Sequence, residues 1–99
     1  TNGQNVGTTD IGKTIDFSIT PNPIRDYMEI IFTMTESIPI AIALYDTHGQ
    51  LIRTLYQDTP SLGSHKMSFQ RGDIRIGAYV ISINSNGRVL GSEKIVMIE

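Results

Sequence analysis

Two histidines and several aspartates are the side chains of this sequence that could bind a metal ion. His48 and His65 stand apart in the chain, and His48 falls in a predicted hairpin loop, so a shared zinc site would lack the close ligand spacing of such sites. The aspartates do not form the spaced acidic loop that a calcium site needs; they are Asp10, Asp16, Asp26 and Asp58. We therefore interpret these side chains as solvated.

The sequence contains none of the common catalytic motifs. It has no nucleophile elbow, phosphate-binding loop, dinucleotide fingerprint or zinc-ligand spacing, and Ser85-Asn86-Gly87 is interpreted as a turn. It has no cysteine, which excludes thiol chemistry and disulfides. Strands could still bring a pair of carboxylates together for proton transfer, but no spacing argues for one. The sequence predicts neither an enzyme nor a cofactor.

Tyr79 suits either a structural role or ligand binding. It lies two residues after Gly77, at the entrance of a predicted strand. In immunoglobulin-like sandwiches a tyrosine near the start of a late strand donates a hydrogen bond to upstream backbone. Buried tyrosines usually direct the hydroxyl to such a partner. We expect Tyr79 to fix a corner of the fold, and we prefer this role to ligand binding.

Length and composition indicate a single all-β domain. A chain of 99 residues can bury one core without disulfides or a metal. The net charge of −2 gives no expectation of nucleic-acid binding or of a polybasic membrane patch. β-Branched residues and glycines are plentiful, and no stretch has a convincing helical period. Because the first residue is Thr1, we expect the chain to be a piece of a longer protein.

The central feature is a predicted hairpin over Ile38–Tyr56. Its first strand has apolar side chains at every second position, which places them on one face: Ile38, Ile40, Ile42 and Leu44. Asp46 can accept a hydrogen bond from the backbone two residues further on. Gly49 suits a left-handed position that closes a three-residue loop. The apolar face of this hairpin must be covered by further strands.

The same alternation predicts the remaining strands. Pro21-Asn22-Pro23 forms a rigid corner after the first strand, and Asn86-Gly87 suits a hairpin turn. The other predicted strands are 15–19, Tyr27–Thr35, His65–Gln70, Ala78–Asn84 and Val89–Ile98. About seven short antiparallel strands with no helix predict an immunoglobulin-like β-sandwich over residues 15–99. Residues 1–14, which are polar and glycine-rich, are expected to be a flexible linker.

Four short motifs add a resemblance to this description. They are Pro21-Asn22-Pro23, Leu44–Ile52, Gly77-Ala78-Tyr79-Val80 and Lys94-Ile95-Val96. In this order and spacing they resemble the C-terminal sorting domain of type IX secretion cargo in Bacteroidetes (type A, the secretion tail family). The resemblance covers Phe17 to Glu99, and His48 and Pro39 are minor variations within it.

The resemblance implies a targeting function. Such tails are recognised in the periplasm by the type IX translocon, which moves the cargo across the outer membrane to the cell surface or into the medium. A sortase-like protease commonly cuts in the linker, here residues 1–14, and the cargo is attached to anionic lipopolysaccharide. The implied motif residues are Pro21, Asn22, Pro23, Asp46, Gly49, Gly77, Tyr79, Lys94, Ile95 and Val96.

Two other functions remain open at this stage. One is a retained tail of the attachment machinery that contacts sortase subunits or lipopolysaccharide. The other is an immunoglobulin- or fibronectin-like module that binds carbohydrate or spaces other domains. Recognition could use the edge of the last strand or the loops at one end of the sandwich, because an edge offers unpaired backbone groups. The same edges could support a homodimer or a strand-swapped form of the isolated domain.

Overall fold

The computed structural model describes residues 15–99, and it is all-β. Alternating apolar residues form seven strands within this range. They are β1 (Asp16–Thr20), β2 (Tyr27–Met34), β3 (Ile40–Asp46), β4 (Leu51–Asp58), β5 (Gly63–Gln70), β6 (Gly77–Ser85) and β7 (Arg88–Met97). Over the described part of the chain there is no helix that could span a membrane.

The strands form two antiparallel sheets that pack as a sandwich. The first sheet has the order β1-β2-β5 and the second has the order β4-β3-β6-β7. β2 therefore pairs with β5, which lies far from it in sequence, from Tyr27 opposite Gln70 to Met34 opposite Gly63. β4 and β5 are the edge strands on one side of the sandwich. β1 and β7, which are in contact with each other, are the edge strands on the opposite side.

The core consists of the inward side chains of both sheets. Alternate residues of β2 and β3 are almost fully buried, as the period of two requires. Ile24 and Ile74, from two connections, complete this core. The most completely buried side chains are Phe32, Ile24, Met28, Ile30, Ile42, Leu44, Ile81, Ile83, Ile95 and Met97.

The immunoglobulin-like sandwich predicted from the sequence is confirmed, with small differences at strand ends. The third strand begins at Ile40, so Ile38 and Pro39 precede it, although Ile38 still packs against the core. The predicted Asn-Gly turn is also confirmed, because Asn86 has a φ of 51° and Gly87 a φ of 80°. The predicted linker, residues 1–14, lies outside the described residues.

One prediction about a side chain is wrong. His65 is not solvated, because it is partly buried inside β5, the strand in which the sequence had placed it. Its ring stacks on Phe32 with a centroid distance of 5.2 Å, and its Nε2 lies 2.7 Å from the carbonyl oxygen of Ser61. His65 precedes the inward residues Met67 and Phe69 in steps of two, so the alternation itself places it inside. His48 is exposed, as expected.

Candidate functional site

The motif residues meet at one end of the sandwich, which we call the motif end. The strand register brings Gly77 opposite Met97, Tyr79 opposite Ile95, and Asp46 opposite Tyr79. The Pro21-Asn22-Pro23 corner packs beside the last residues of β7 at this same end. Motifs separated by more than seventy residues are therefore neighbours, as the hydrogen bond between Asn22 and Val96 shows.

Asn22 joins the proline corner to the edge of β7. Its Nδ2 donates to the Lys94 carbonyl at 3.4 Å, and its Oδ1 accepts from the Val96 amide at 3.2 Å. The side-chain amide thus offers one donor and one acceptor, as a peptide group of a neighbouring strand would. Ile24 continues the pairing, because its amide donates to Val96 O at 2.8 Å and its carbonyl accepts from the Ile98 amide at 2.8 Å. This end of the last strand's edge is therefore covered.

The β3–β4 hairpin loop presents Asp46 and Gly49 at the motif end. Asp46 Oδ1 accepts from the amides of His48, at 2.8 Å, and Gln50, at 2.9 Å. The Asp46 amide donates to Gln50 O at 3.0 Å, which leaves three residues inside the loop. Gly49 has a φ of +85°, a conformation that a side chain disfavours. Both predicted roles of these residues in the turn are confirmed.

The Asp46 loop gives a pH-dependent prediction. The amide of Gln50 has the largest effect and lowers the pKa of Asp46 below its ordinary value of 3.8, while desolvation opposes it. Smaller lowering effects come from the His48 amide, the charge of His48 and the Gly49 amide, in that order. A lowered carboxyl pKa stabilises the fold above the unfolded pKa, and the stabilisation is lost as pH falls through the folded pKa. Asp46→Asn keeps an oxygen acceptor without the charge. We expect Asp46→Asn to melt below wild type at pH 7, and the difference in melting temperature to shrink as the pH falls below 3.8, measured by thermal unfolding. A constant difference would contradict the charge effect.

Tyr79 fixes the start of β6. Its hydroxyl donates to the Arg75 carbonyl at 2.8 Å, four residues upstream, so the expected bond to upstream backbone is present. Gly77 begins the strand with a φ of +147°, and a Cβ there would lie 3.8 Å from the Tyr79 ring. Gly77 and Tyr79 thus act together to turn the β5–β6 connection into the second sheet.

Two arginines that the sequence did not single out hold the motif end together. Arg71 Nε donates to Ile74 O at 2.8 Å, and its Nη1 donates to Arg25 O at 2.8 Å and also to Ile98 O. Arg25 Nη1 in turn donates to Glu99 O. Arg71 therefore connects the β5–β6 loop, the proline corner and the segment after β7. Every acceptor is a backbone carbonyl, so no pattern of side chains could have indicated this arrangement.

The motif end has the surface character of a binding site. Of the eight large apolar side chains that are exposed among residues 15–99, five lie at this end: Tyr27, Leu51, Ile52, Ile76 and Val96. Clustered exposed apolar side chains mark interaction surfaces more often than scattered ones do. Exposed cationic residues lie among them, including Arg25, Arg75 and Lys94. A groove of about 340 Å³ is lined by Pro21, Pro23, Arg25, Asp26, Tyr27 and Ile98.

The chain enters the described domain at the opposite end. Ile15 lies beside Met34, Glu36, Ile38 and Arg88, and the first pair of β1 is Asp16 with Thr33. β1 then runs toward the proline corner. Whatever precedes residue 15 is therefore attached at the end of the sandwich away from the motif residues.

Fold and site together define a class of protein: a small immunoglobulin-like module that gathers its distinctive residues at one end. The chain belongs to the family of secretion system C-terminal sorting domains, whose family model matches residues 18–99. It is therefore a C-terminal sorting signal of type IX secretion, which implies export across the outer membrane to the cell surface or into the medium. Among residues 15–99 we find no cluster of three potential metal ligands.

Comparison with other known proteins adds little. No curated protein matches the sequence. Among solved structures, the chain is similar to Pseudomonas fluorescens alkylpurine DNA glycosylase AlkC bound to DNA containing an abasic site analog, with 15% identity and a TM-score of 0.40. The match covers 90% of this chain, which spans only 32% of the length of that protein. A likeness this distant has no bearing on the function of the present chain.

Proposed function

We propose that the motif end is the surface by which the type IX translocon recognises this tail in the periplasm. A sortase-like protease of the attachment complex then cuts within residues 1–14, and the released cargo is joined to anionic lipopolysaccharide at the cell surface. In this proposal the ten motif residues build the recognised surface, and none of them catalyses a reaction.

The observation that carries the proposal is the convergence of the four motifs on one end of the fold. Most of these residues have structural roles: Asn22 covers an edge, Asp46 and Gly49 form a loop, and Tyr79 fixes a corner. Together they hold the shape of a surface on which exposed apolar and cationic side chains lie.

The placement of Ile15 supports the same function. A sorting tail must present one surface whatever cargo it carries. Because the preceding polypeptide joins the domain at the end away from the motifs, a folded cargo leaves the motif end accessible. Because the preceding residues join the domain at the end away from the recognised surface, a protease can bind them while the tail is held.

A charge reversal at each end of β7 tests the proposal. Lys94 and Arg88 are both exposed, lie on the same strand, and belong to the motif end and the entry end respectively. Fused through residues 1–99 to a fluorescent protein with a signal peptide, Lys94→Glu should lower surface delivery at least roughly tenfold, since a charge mismatch at an interface disfavours binding strongly. Arg88→Glu should stay within about twofold of wild type.

These point substitutions are sharper than deletion of the last six residues. Deletion of Lys94–Glu99 removes Ile95 and Met97 from the core, so a loss of delivery would also follow from unfolding. Equal delivery by both charge variants, with unchanged melting temperatures, would contradict recognition at the motif end. Mass spectrometry of the mature surface protein should find no peptide containing Tyr79 or Lys94; their presence would identify a retained tail.

A further inference from the structure

The two sides of the sandwich are closed to different degrees. On one side β1 lies against β7, and Asn22 and Ile24 cover the end of β7. On the other side the edge strands are β4 and β5, and within residues 15–99 each pairs with a single neighbour, β3 and β2 respectively. This second side, which we call the open side, has two edges with which no other strand within residues 15–99 pairs.

The inward side chains along the open side are incompletely covered. In the part of the chain that the structure describes, six apolar side chains that pack against the core are only partly buried. Four of them come from β4 and β5: Leu55, Tyr56, Met67 and Phe69. Every second residue of β5 is partly buried, whereas the corresponding residues of β2 are almost fully buried. Burial is nevertheless sufficient to raise the pKa of Tyr56, with a smaller contribution from Asp58. A further strand on this side would complete the core.

The two edges of the open side differ in regularity. The pairing of β4 with β3 shifts register twice, between Ile42 and Ala43 and between Leu44 and Tyr45. Such irregularities twist an edge and discourage further pairing. β5 pairs with β2 over eight residues without a shift, contains no proline, and has one lysine. Lys66 is therefore the one usual protection of an edge strand that β5 has, and it lies on the outer face.

We propose that the β5 edge accepts an extended segment of the export apparatus as an added strand. The inference deepens the proposed function and rests on it, because it names a second contact between the tail and its machinery. The occupant must be extended, since the available groups are backbone amides and carbonyls at alternate residues. It must have apolar side chains at every second position, because these would cover Met67 and Phe69.

Charge specifies the other face of the added strand. On its outer face β5 presents Ser64, Lys66 and Ser68, as their register partners on β2 show. Lys66 already lies 3.8 Å from Glu29 on that partner strand. A carboxylate on the added strand would face Lys66 from the other side, and opposite charges on neighbouring strands stabilise pairing. The segment is thus apolar inward and hydroxyl-bearing or acidic outward.

The delivery assay tests the inference with a blocked edge. Met67→Lys places an inward-pointing charge on β5, which prevents strand addition, while its aliphatic part still covers the core. Ser68→Lys adds the same charge to the outer face of the same strand and is the matched control. Met67→Lys should lower surface delivery at least roughly tenfold and Ser68→Lys less than about twofold. Wild-type delivery of Met67→Lys would overturn the inference.

A proline pair keeps the test decisive if Met67→Lys unfolds. The amides of neighbouring residues in a strand point to opposite sides. One of the two substitutions Ser68→Pro and Phe69→Pro therefore removes an N–H group that donates to β2, and the other removes an N–H group on the unpaired edge of β5. The variant with the higher melting temperature must lose delivery. The corresponding pair in β4, Gln57→Pro and Asp58→Pro, should include a stable variant that is delivered normally. Delivery by the stable β5 variant would reject strand addition.

Two further results separate this inference from its alternatives. If the wild-type fusion is not delivered, the proposed function fails; if it is delivered and every β5 variant is delivered too, only the inference fails. Solution scattering of the chain should give a monomeric mass. If the mass is instead dimeric, and Met67→Lys restores a monomeric mass, then a second copy of the domain occupies the β5 edge. That result would overturn the inference that a segment of the export apparatus binds there.

Discussion

Replacing Gly91 by alanine is expected to lower the free energy of unfolding by roughly 2–3 kcal/mol, because it overpacks a closed core. For a domain of this size that corresponds to a fall in melting temperature of about 10–20 °C. An ideal Cβ at Gly91 would lie 2.6 Å from Cε1 of Phe17 and 3.3 Å from Cγ2 of Ile15. Phe17 is only 4% exposed, so its ring has little room to move.

The effect arises where β1 packs over β7. The pairing of β7 with β6 steps from Gly91 opposite Ile83 to Val89 opposite Asn84, which places one extra residue, Leu90, in β7. This bulge turns Gly91 toward the first sheet, and the absence of a side chain lets Phe17 approach the backbone. Gly91 thus closes the side of the sandwich that carries β1.

A double-substitution cycle isolates this contact. Phe17→Leu removes the ring atom nearest the added methyl group. In a Phe17→Leu background, Gly91→Ala should therefore lower the free energy of unfolding by less than it does in wild type, and the difference, the coupling energy, should be roughly 1 kcal/mol. Ser92→Ala, at the exposed neighbouring position, should change stability by less than about 0.5 kcal/mol. Urea unfolding of the four proteins of the cycle measures the coupling. Additive effects would show that Gly91 is not constrained by the Phe17 ring.

The faces of the strands could be predicted from the sequence, but their partners could not. Alternation assigned Ile40, Ile42 and Leu44 to one face, and the structure buries all three. The alternation of apolar and polar residues is a local property, however. It shows which face of a strand is buried but not which strand pairs with it. The pairing of β2 with β5 depends on how the complete chain buries its apolar surface, so a sheet order of β1-β2-β5 had no local signal.

The motif residues show the same limit at the level of the site. The turn chemistry of Asp46 and Gly49 is local, and the sequence predicted it. The bonds from Asn22 to Lys94 and Val96 join distant segments through backbone groups, which every residue possesses. Resemblance to a family placed these residues in one motif set, but only the fold explains why an asparagine stands between two prolines.

The sequence positions of His65 and Gly91 within their strands are informative. His65 continues the two-residue step of Met67 and Phe69, so the strand pattern outweighs the general expectation that a lone histidine is solvated. A glycine inside a strand, such as Gly91, indicates a bulge or a close approach of another segment. In both cases the position within the strand is more informative than the residue type.

Replacing Arg71 by alanine is expected to cost roughly 2–3 kcal/mol, since a partly buried guanidinium that bonds three carbonyls is lost. Its acceptors, Ile74 O, Arg25 O and Ile98 O, belong to three separate segments. Arg71→Lys keeps the charge but replaces the planar fork with a single ammonium group on a flexible stem, so we expect an intermediate loss. Arg75→Ala, at an exposed position in the same loop, is the control and should stay within about 0.5 kcal/mol of wild type.

Hydrogen exchange distinguishes a role at the motif end from general destabilisation. The Ile98 amide donates to Ile24 O, next to the carbonyl that Arg71 binds. In Arg71→Ala the hydrogen exchange of this amide should speed up by more than the loss of global stability explains, because the segment after β7 opens locally. Amides of β3, in the centre of the second sheet, should follow global stability alone. Equal changes at Ile98 and in β3 would mean that Arg71 supports the whole sandwich rather than the motif end.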